Sequence, residues 1–169
     1  MGTLLTGAVL AAAATAIYVV PPQSQPRPAD VIYVIGPVHP WRLILAAELV
    51  SEGISDEVLI SIPAGGEDSI KECRDGIAGA RVTCEHPEPS TTQGEARDLA
   101  AYMDANNAES ALVITSTPHL ARTQVRMDNC AEGEVQVIGK ATGLGLGDWA
   151  YQIVYQTAAF AKLAFTNRC

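Results

Sequence analysis

Five short apolar runs rich in β-branched residues recur along the chain: Val31–Ile35, Val58–Ile62, Arg81–Cys84, Leu112–Thr115 and Val135–Ile138. Most are continuously apolar rather than alternating, the pattern of strands buried on both faces of a parallel sheet. Stretches with helical period separate them. Trp41–Glu52 places Leu43, Ala46, Ala47 and Val50 on one face, and Gln93–Asn106 does the same with Ala96, Leu99, Ala100 and Met103. Leu120–Cys130 is a shorter helical stretch after Pro118, and Trp149–Phe165 carries Trp149, Ile153, Phe160 and Ala164 at helical spacing. This alternation predicts a three-layer, doubly wound α/β domain with right-handed crossovers and a mostly parallel sheet of about five strands. Ligands of such sheets bind outside the carboxyl ends of the strands. The turns after each strand are therefore where chemistry is expected. No internal repeat or second domain is visible.

The pattern differs before the first strand. The run Leu4–Val20 contains no charged residue and as a helix reaches about 26 Å, slightly short of a hydrocarbon core of roughly 30 Å. Residues 1–20 are read as a membrane anchor or a signal segment. Ala12, Ala14 and Ala16 offer small residues for cleavage, but no Lys or Arg precedes the run. A buried N-terminal helix is the remaining reading, and the absence of a polar face disfavours it. Residues 21–29 hold four prolines without apolar periodicity and read as an extended tether lifting the domain, residues 30–169, clear of the membrane.

Composition narrows the classes. With 48% hydrophobic and 18% charged residues, wholesale disorder is excluded. The net charge of -8 and the lack of any Lys/Arg cluster argue against nucleic acid as a partner. Membrane attachment of so acidic a chain has to be hydrophobic. Four cysteines, Cys73, Cys84, Cys130 and Cys169, include no CxxC pair and suit neither a zinc knuckle nor a redox motif. Behind an export-like segment an even count favours disulfides. Three connectivities are possible; Cys73–Cys84 with Cys130–Cys169 is preferred, clipping a short excursion and pinning the C-terminal helix. Buried free thiols are the alternative.

Among the turns, Thr115–Arg122 (TSTPHLAR) carries most chemistry. Thr117 suits a cap and Pro118 a first helical turn, which places His119 in that turn and Arg122 on the same face. Free backbone N–H groups, a helix dipole, a histidine and an arginine converging there suit a phosphate or carboxylate. A solvated helix start accounts for the same residues. In Ser90–Arg97, Glu95 reads as a general base or an orienter of His119; Thr92-x-x-Glu95 also reads as a capping box. After the first run, Gly36 permits close backbone approach and Arg42 falls in the next helical turn. His39 reads as a surface loop residue, and Gly143–Gly147 as a flexible loop or a mobile lid. The nucleotide signal is weak, and there is no GxSxG elbow, P-loop or HExxH. The three histidines, His39, His86 and His119, are scattered, which makes a His-rich metal site doubtful.

The order of these pieces resembles the YdcF/SanA/ElyC-like family of bacterial envelope proteins. The resemblance is carried by Asp30–Gly36 followed by Arg42, Ala46, Leu49 and Gly53, by the Thr92–Glu95 turn, and by Val113–Ser116 leading into His119 and Arg122. It covers roughly residues 30–137, with GEAR at Gly94–Arg97 and the cysteines pointing to a high-GC Gram-positive branch. It implies a Rossmann-like fold, an extracytoplasmic domain behind an N-terminal membrane segment, and a connection with peptidoglycan and envelope biogenesis. It also implies a pocket lined by Gly36, Arg42, Thr92, Glu95, Ser116, His119 and Arg122. One departure is Pro37, where relatives usually have a second glycine; without an N–H it weakens a phosphate grip by that loop.

Three functions remain in view. In the first, the protein acts on or binds a phosphorylated intermediate, a polyprenyl-phosphate or nucleotide-like group. Arg42 and Arg122 hold the anion, and His119, titrating near neutrality, serves as general acid or base with Glu95 orienting it; the reaction is phosphoester hydrolysis or transfer. The second is a non-catalytic ligand- or partner-binding regulator of envelope assembly. The third is a nucleoside-cofactor protein, binding S-adenosylmethionine for example, against which an extracytoplasmic location argues. Expected residence is the cell membrane with an extracytoplasmic domain, or secretion if the N-terminus is cleaved.

Overall fold

The computed structural model describes residues 2–23, 25–62, 64–66, 70–77, 79–141, 143–165 and 169. Each predicted apolar run is a strand: β1 (Val31–Val34), β2 (Glu57–Ser61), β3 (Arg81–Glu85), β4 (Ser110–Ser116) and β5 (Glu134–Lys140). All neighbouring pairs are parallel, in the order β3-β2-β1-β4-β5. The central strands show why their sequences lack alternation. Val31, Tyr33, Ala111 and Val113 pack into one core, whereas Ile32, Val34, Leu112 and Ile114 pack into the other.

Helices cover both faces, as expected for a doubly wound α/β fold. α2 (Pro40–Ser51) places Ala46 and Leu49 on the Ile32 side, while α4 (Thr92–Asn106) places Ala96, Leu99 and Met103 on the Tyr33 side. α5 (Leu120–Cys130) joins α4's face through Leu120 and Met127, and α6 (Leu146–Phe165) packs beside α5. A short helix, α3 (Lys71–Asp75), precedes β3. Five residues hold too little of a 3.6-residue period to be recognised in sequence. Disulfides join Cys73 to Cys84 and Cys130 to Cys169, the preferred pairing. The first fastens α3 to β3; the second returns the chain end to the end of α5.

Two local expectations fail at helix starts. Thr91, not Thr92, caps α4, its hydroxyl accepting from the Gly94 N–H at 3.3 Å. The Thr92–Glu95 capping box does not form, because Glu95 is turned inward. Thr117 makes no cap either: it is buried in a 3₁₀ turn, Thr117–His119, with Ser116 at the cap position. The glycine-rich run is only partly a loop, since α6 begins at Leu146 and includes Gly147.

The N-terminal apolar run is helical: α1 (Gly2–Ala14) passes into a π-helical turn over Thr15–Val19. Among the described residues no helix is long and apolar enough to cross a membrane. Tyr18 is buried, its hydroxyl 3.2 Å from that of Thr157 and its ring 6.3 Å from that of Phe160. The described part of residues 21–29 forms neither helix nor strand, yet it is fastened to the domain. Gln23 accepts from the Gly139 N–H at 2.7 Å, the Arg27 N–H donates to Gln136 at 3.2 Å, and the Arg27 side chain pairs with Glu134. β5 is an edge strand of the sheet, and its Gly139 N–H is met by the Gln23 side chain rather than by a neighbouring strand.

Candidate functional site

The sheet order reverses between β1 and β4, so the segments leaving those strands diverge and open a crevice at their carboxyl ends. A cavity of about 980 Å³ lies there. All seven residues nominated for a pocket line it: Gly36 after β1, Arg42 on α2, Thr92 and Glu95 in the first turn of α4, Ser116 at the end of β4, and His119 and Arg122 at the start of α5. Ser61, Gln152, Tyr155 and Gln156 line it as well. Sequence reading missed these four. Ser61 ends a strand without a motif, and α6 reaches the crevice only through tertiary packing.

Glu95 is 5% exposed, and its Oε1 accepts from the Gly36 N–H at 2.6 Å and from the Ser61 hydroxyl at 3.0 Å. Burial raises its pKa; the two hydrogen bonds and the charges of Arg42 and Arg122 oppose that rise without overcoming it. Gly36 thus allows close approach, but of the Glu95 carboxylate rather than of a ligand: a Cβ there would stand 3.2 Å from Oε1. Its N–H is taken and Pro37 has none, so neither position offers a backbone N–H to an anion.

Arg42 is 2% exposed. One guanidinium nitrogen donates to the Ile35 carbonyl, the group lies 5.2 Å from the Trp41 ring centre, and Nε has no partner. No carboxylate among the described residues forms an ion pair with it. Burial lowers its pKa to about 10, so it stays charged at neutral pH. Arg122 is anchored more fully, Nε donating to Gln156 at 2.9 Å and one terminal nitrogen to the Thr92 hydroxyl at 3.2 Å.

His119 lies between two hydroxyls, Nδ1 3.1 Å from Thr115 Oγ1 and Nε2 3.3 Å from Thr92 Oγ1. Since Thr92 Oγ1 already accepts from Arg122, its own proton is best used on Nε2. Nδ1–H then donates to Thr115. Burial, aided by Arg122 and Arg42, lowers the His119 pKa to about 3. This corrects the expectation of a histidine titrating near neutrality: without a ligand the ring is neutral, because burial disfavours its charged form and the Arg122 and Arg42 guanidiniums add to that. Glu95 does not orient it; Thr92 and Thr115 do.

The cavity therefore holds two fixed cations against one carboxylate whose ionisation burial disfavours, within an acidic chain. It suits an anion. No group of three or more metal-ligating side chains occurs among the described residues. No protein-family model matches the chain, and no curated protein sequence matches it.

Proposed function

We propose that the cavity binds a phosphorylated ligand through Arg42 and Arg122, in a cell-envelope protein that acts on or carries a phosphorylated intermediate. The observation that supports this most is Arg42, a buried cation with an unpartnered Nε and no ion pair among the described residues. Burying a charge without a hydrogen-bonded ion-pair partner is costly, and the Glu95 carboxylate acts on Arg42 only through its field; a phosphate group would offset that cost with charge-assisted hydrogen bonds. The likeness of the Asp30–Gly36, Thr92–Glu95 and Val113–Arg122 segments to YdcF/SanA/ElyC-like proteins supports the envelope setting, with polyprenyl-phosphate or nucleotide-like groups as candidate ligands. The two disulfides suit an oxidising, extracytoplasmic compartment, and the charge-free N-terminal helix supports membrane residence.

The reaction put forward is phosphoester hydrolysis or transfer: water or an alcohol attacks phosphorus, the ester P–O bond breaks, and the proton lost by the attacking oxygen is relayed to the departing one. Glu95, a carboxyl group lining the cavity whose pKa burial raises, is the candidate group for relaying that proton, while His119 is joined to the Thr92 hydroxyl. A ligand-binding regulator is the second reading, favoured by one fact: both nitrogens of His119 are already engaged. Assaying phosphomonoester and diester turnover together with binding separates the two. Turnover lost in His119→Ala and Glu95→Gln supports catalysis; binding without turnover supports the regulator. If both substitutions leave binding and turnover unchanged, the site assignment is wrong.

A further inference from the structure

α6 has a buried side and an exposed one. Gln156 and Leu163 are buried, and Tyr18 packs on its flank at Thr157 and Phe160. The other side presents Tyr151, Val154, Tyr155 and Phe165, exposed by 65%, 71%, 50% and 90%. Their spacing, with Ala158 and Ala161 between, makes one stripe along the helix. Lys162 is the only charged residue from Tyr151 to Phe165.

A stripe alone does not identify what covers it, but two neighbours do. α1 is apolar all round, with Leu5 70% and Val9 60% exposed, and such a helix has no polar side to give to water. Its terminal π-helical turn meets α6 through Tyr18 and also meets the 3₁₀ turn that carries His119. These two uncovered apolar surfaces are thus adjoining. Tyr155 belongs both to the stripe and to the cavity wall, so the stripe reaches the site.

We propose that the exposed stripe of α6 lies on a lipid bilayer beside α1, so that the cavity opens at the membrane surface. Apolar contact, not charge, drives the docking, since the chain carries a net charge of -8. The stripe sinks about 5–10 Å into the headgroup boundary, where the phenol rings of Tyr151 and Tyr155 keep their hydroxyls wet. The inference rests on the membrane residence put forward above and is independent of which phosphorylated compound binds.

The test uses the full chain reconstituted with phosphatidylcholine vesicles, with and without bromine on the acyl chains. Val154→Trp puts a fluorophore on the stripe; Glu48→Trp puts one on the exposed side of α2, across the sheet. Both positions are exposed, and unchanged melting confirms that both variants fold. The expected result is flotation with the vesicles, with loss in brominated lipid of the emission added by Val154→Trp and retention of that added by Glu48→Trp. Flotation with the Val154→Trp emission retained overturns the stripe's contact while leaving membrane residence in place. Failure to float overturns both. A dimer in vesicle-free sedimentation that Val154→Glu dissociates assigns the stripe to a second copy, and likewise overturns the proposal.

Discussion

Glu95 Oε1 lies 2.6 Å from the backbone nitrogen of Gly36 and binds it directly, joining the first turn of α4 to the end of β1. The contact bridges the switch point of the sheet, and the Ser61 hydroxyl extends it to β2. A side chain that sequence reads as a general base, an orienter of His119 or part of a capping box is a buried strut between the end of β1, β2 and the start of α4.

The glycines around this strut grade its tolerance. Gly36→Ala brings a Cβ within 3.2 Å of Oε1, the end of a flexible side chain, whereas Gly94→Ala brings one within 1.9 Å of the Pro89 carbonyl oxygen, which is backbone. We expect losses of about 1 kcal/mol for Gly36→Ala and about 3 kcal/mol for Gly94→Ala, the two ends of the usual overpacking range. Urea unfolding checks the order: equal losses would mean that the α4 start relaxes freely.

The carboxylate also sets a pH dependence. The folded pKa of Glu95 is raised above its ordinary 4.5, so the unfolded chain ionises first. The stability contributed by the protonated group is present below about pH 4.5 and is lost as pH rises through the folded value. Melting of Glu95→Gln, followed upward from that pH, should gain steadily on the unsubstituted protein. A difference independent of pH would contradict the raised pKa.

His119 has the opposite sign. Its folded pKa is lowered from 6.5 to about 3, so the unfolded chain takes up the proton first, and stability present above pH 6.5 is lost as pH falls toward 3. Ring nitrogen resonances of the unliganded protein should stay those of one neutral tautomer from pH 8 to 5, a window set by the shift. A bound phosphate dianion should move the titration upward. A midpoint near 6.5 in the free protein would show that the ring is not shielded as described.

The strand pattern and the four main helices of the domain were legible because continuously apolar runs and 3.6-residue periods are local signals of burial. Arg42, His119 and Arg122 were legible because they follow strand ends, where a doubly wound sheet gathers its ligands. What local pattern could not reveal was long-range. Glu95 bonds to residues 59 and 34 positions away, so its turn looked like a capping box. Gln156 meets Arg122 only because α6 folds back across α5. Residues 21–29 have the composition of a free linker, yet Gln23 and Arg27 are fastened to β5.

The two disulfides should differ in weight. Cys130–Cys169 closes 39 residues and Cys73–Cys84 closes 11, so loop closure assigns about 4 kcal/mol to the first and about 3 kcal/mol to the second. Removing the first should also loosen α6, and with it Gln156 and the Arg122 side chain. Paired Cys→Ser variants compared by urea unfolding and by phosphate binding test this. Unchanged binding without Cys130–Cys169 would show that α6 holds its place unaided.

The crevice between β1 and β4 is proposed as an anion site built on Arg42 and Arg122. The most direct measurement is the melting temperature of the full chain against inorganic phosphate and phosphomonoesters, for the unsubstituted protein, Arg122→Ala and the surface control Arg81→Ala. At 100 times the dissociation constant a bound ligand should add about 2.7 kcal/mol, a clear rise in melting temperature that persists in Arg81→Ala and disappears in Arg122→Ala. Stabilisation that survives Arg122→Ala, or no stabilisation by any phosphorylated compound, would contradict the account.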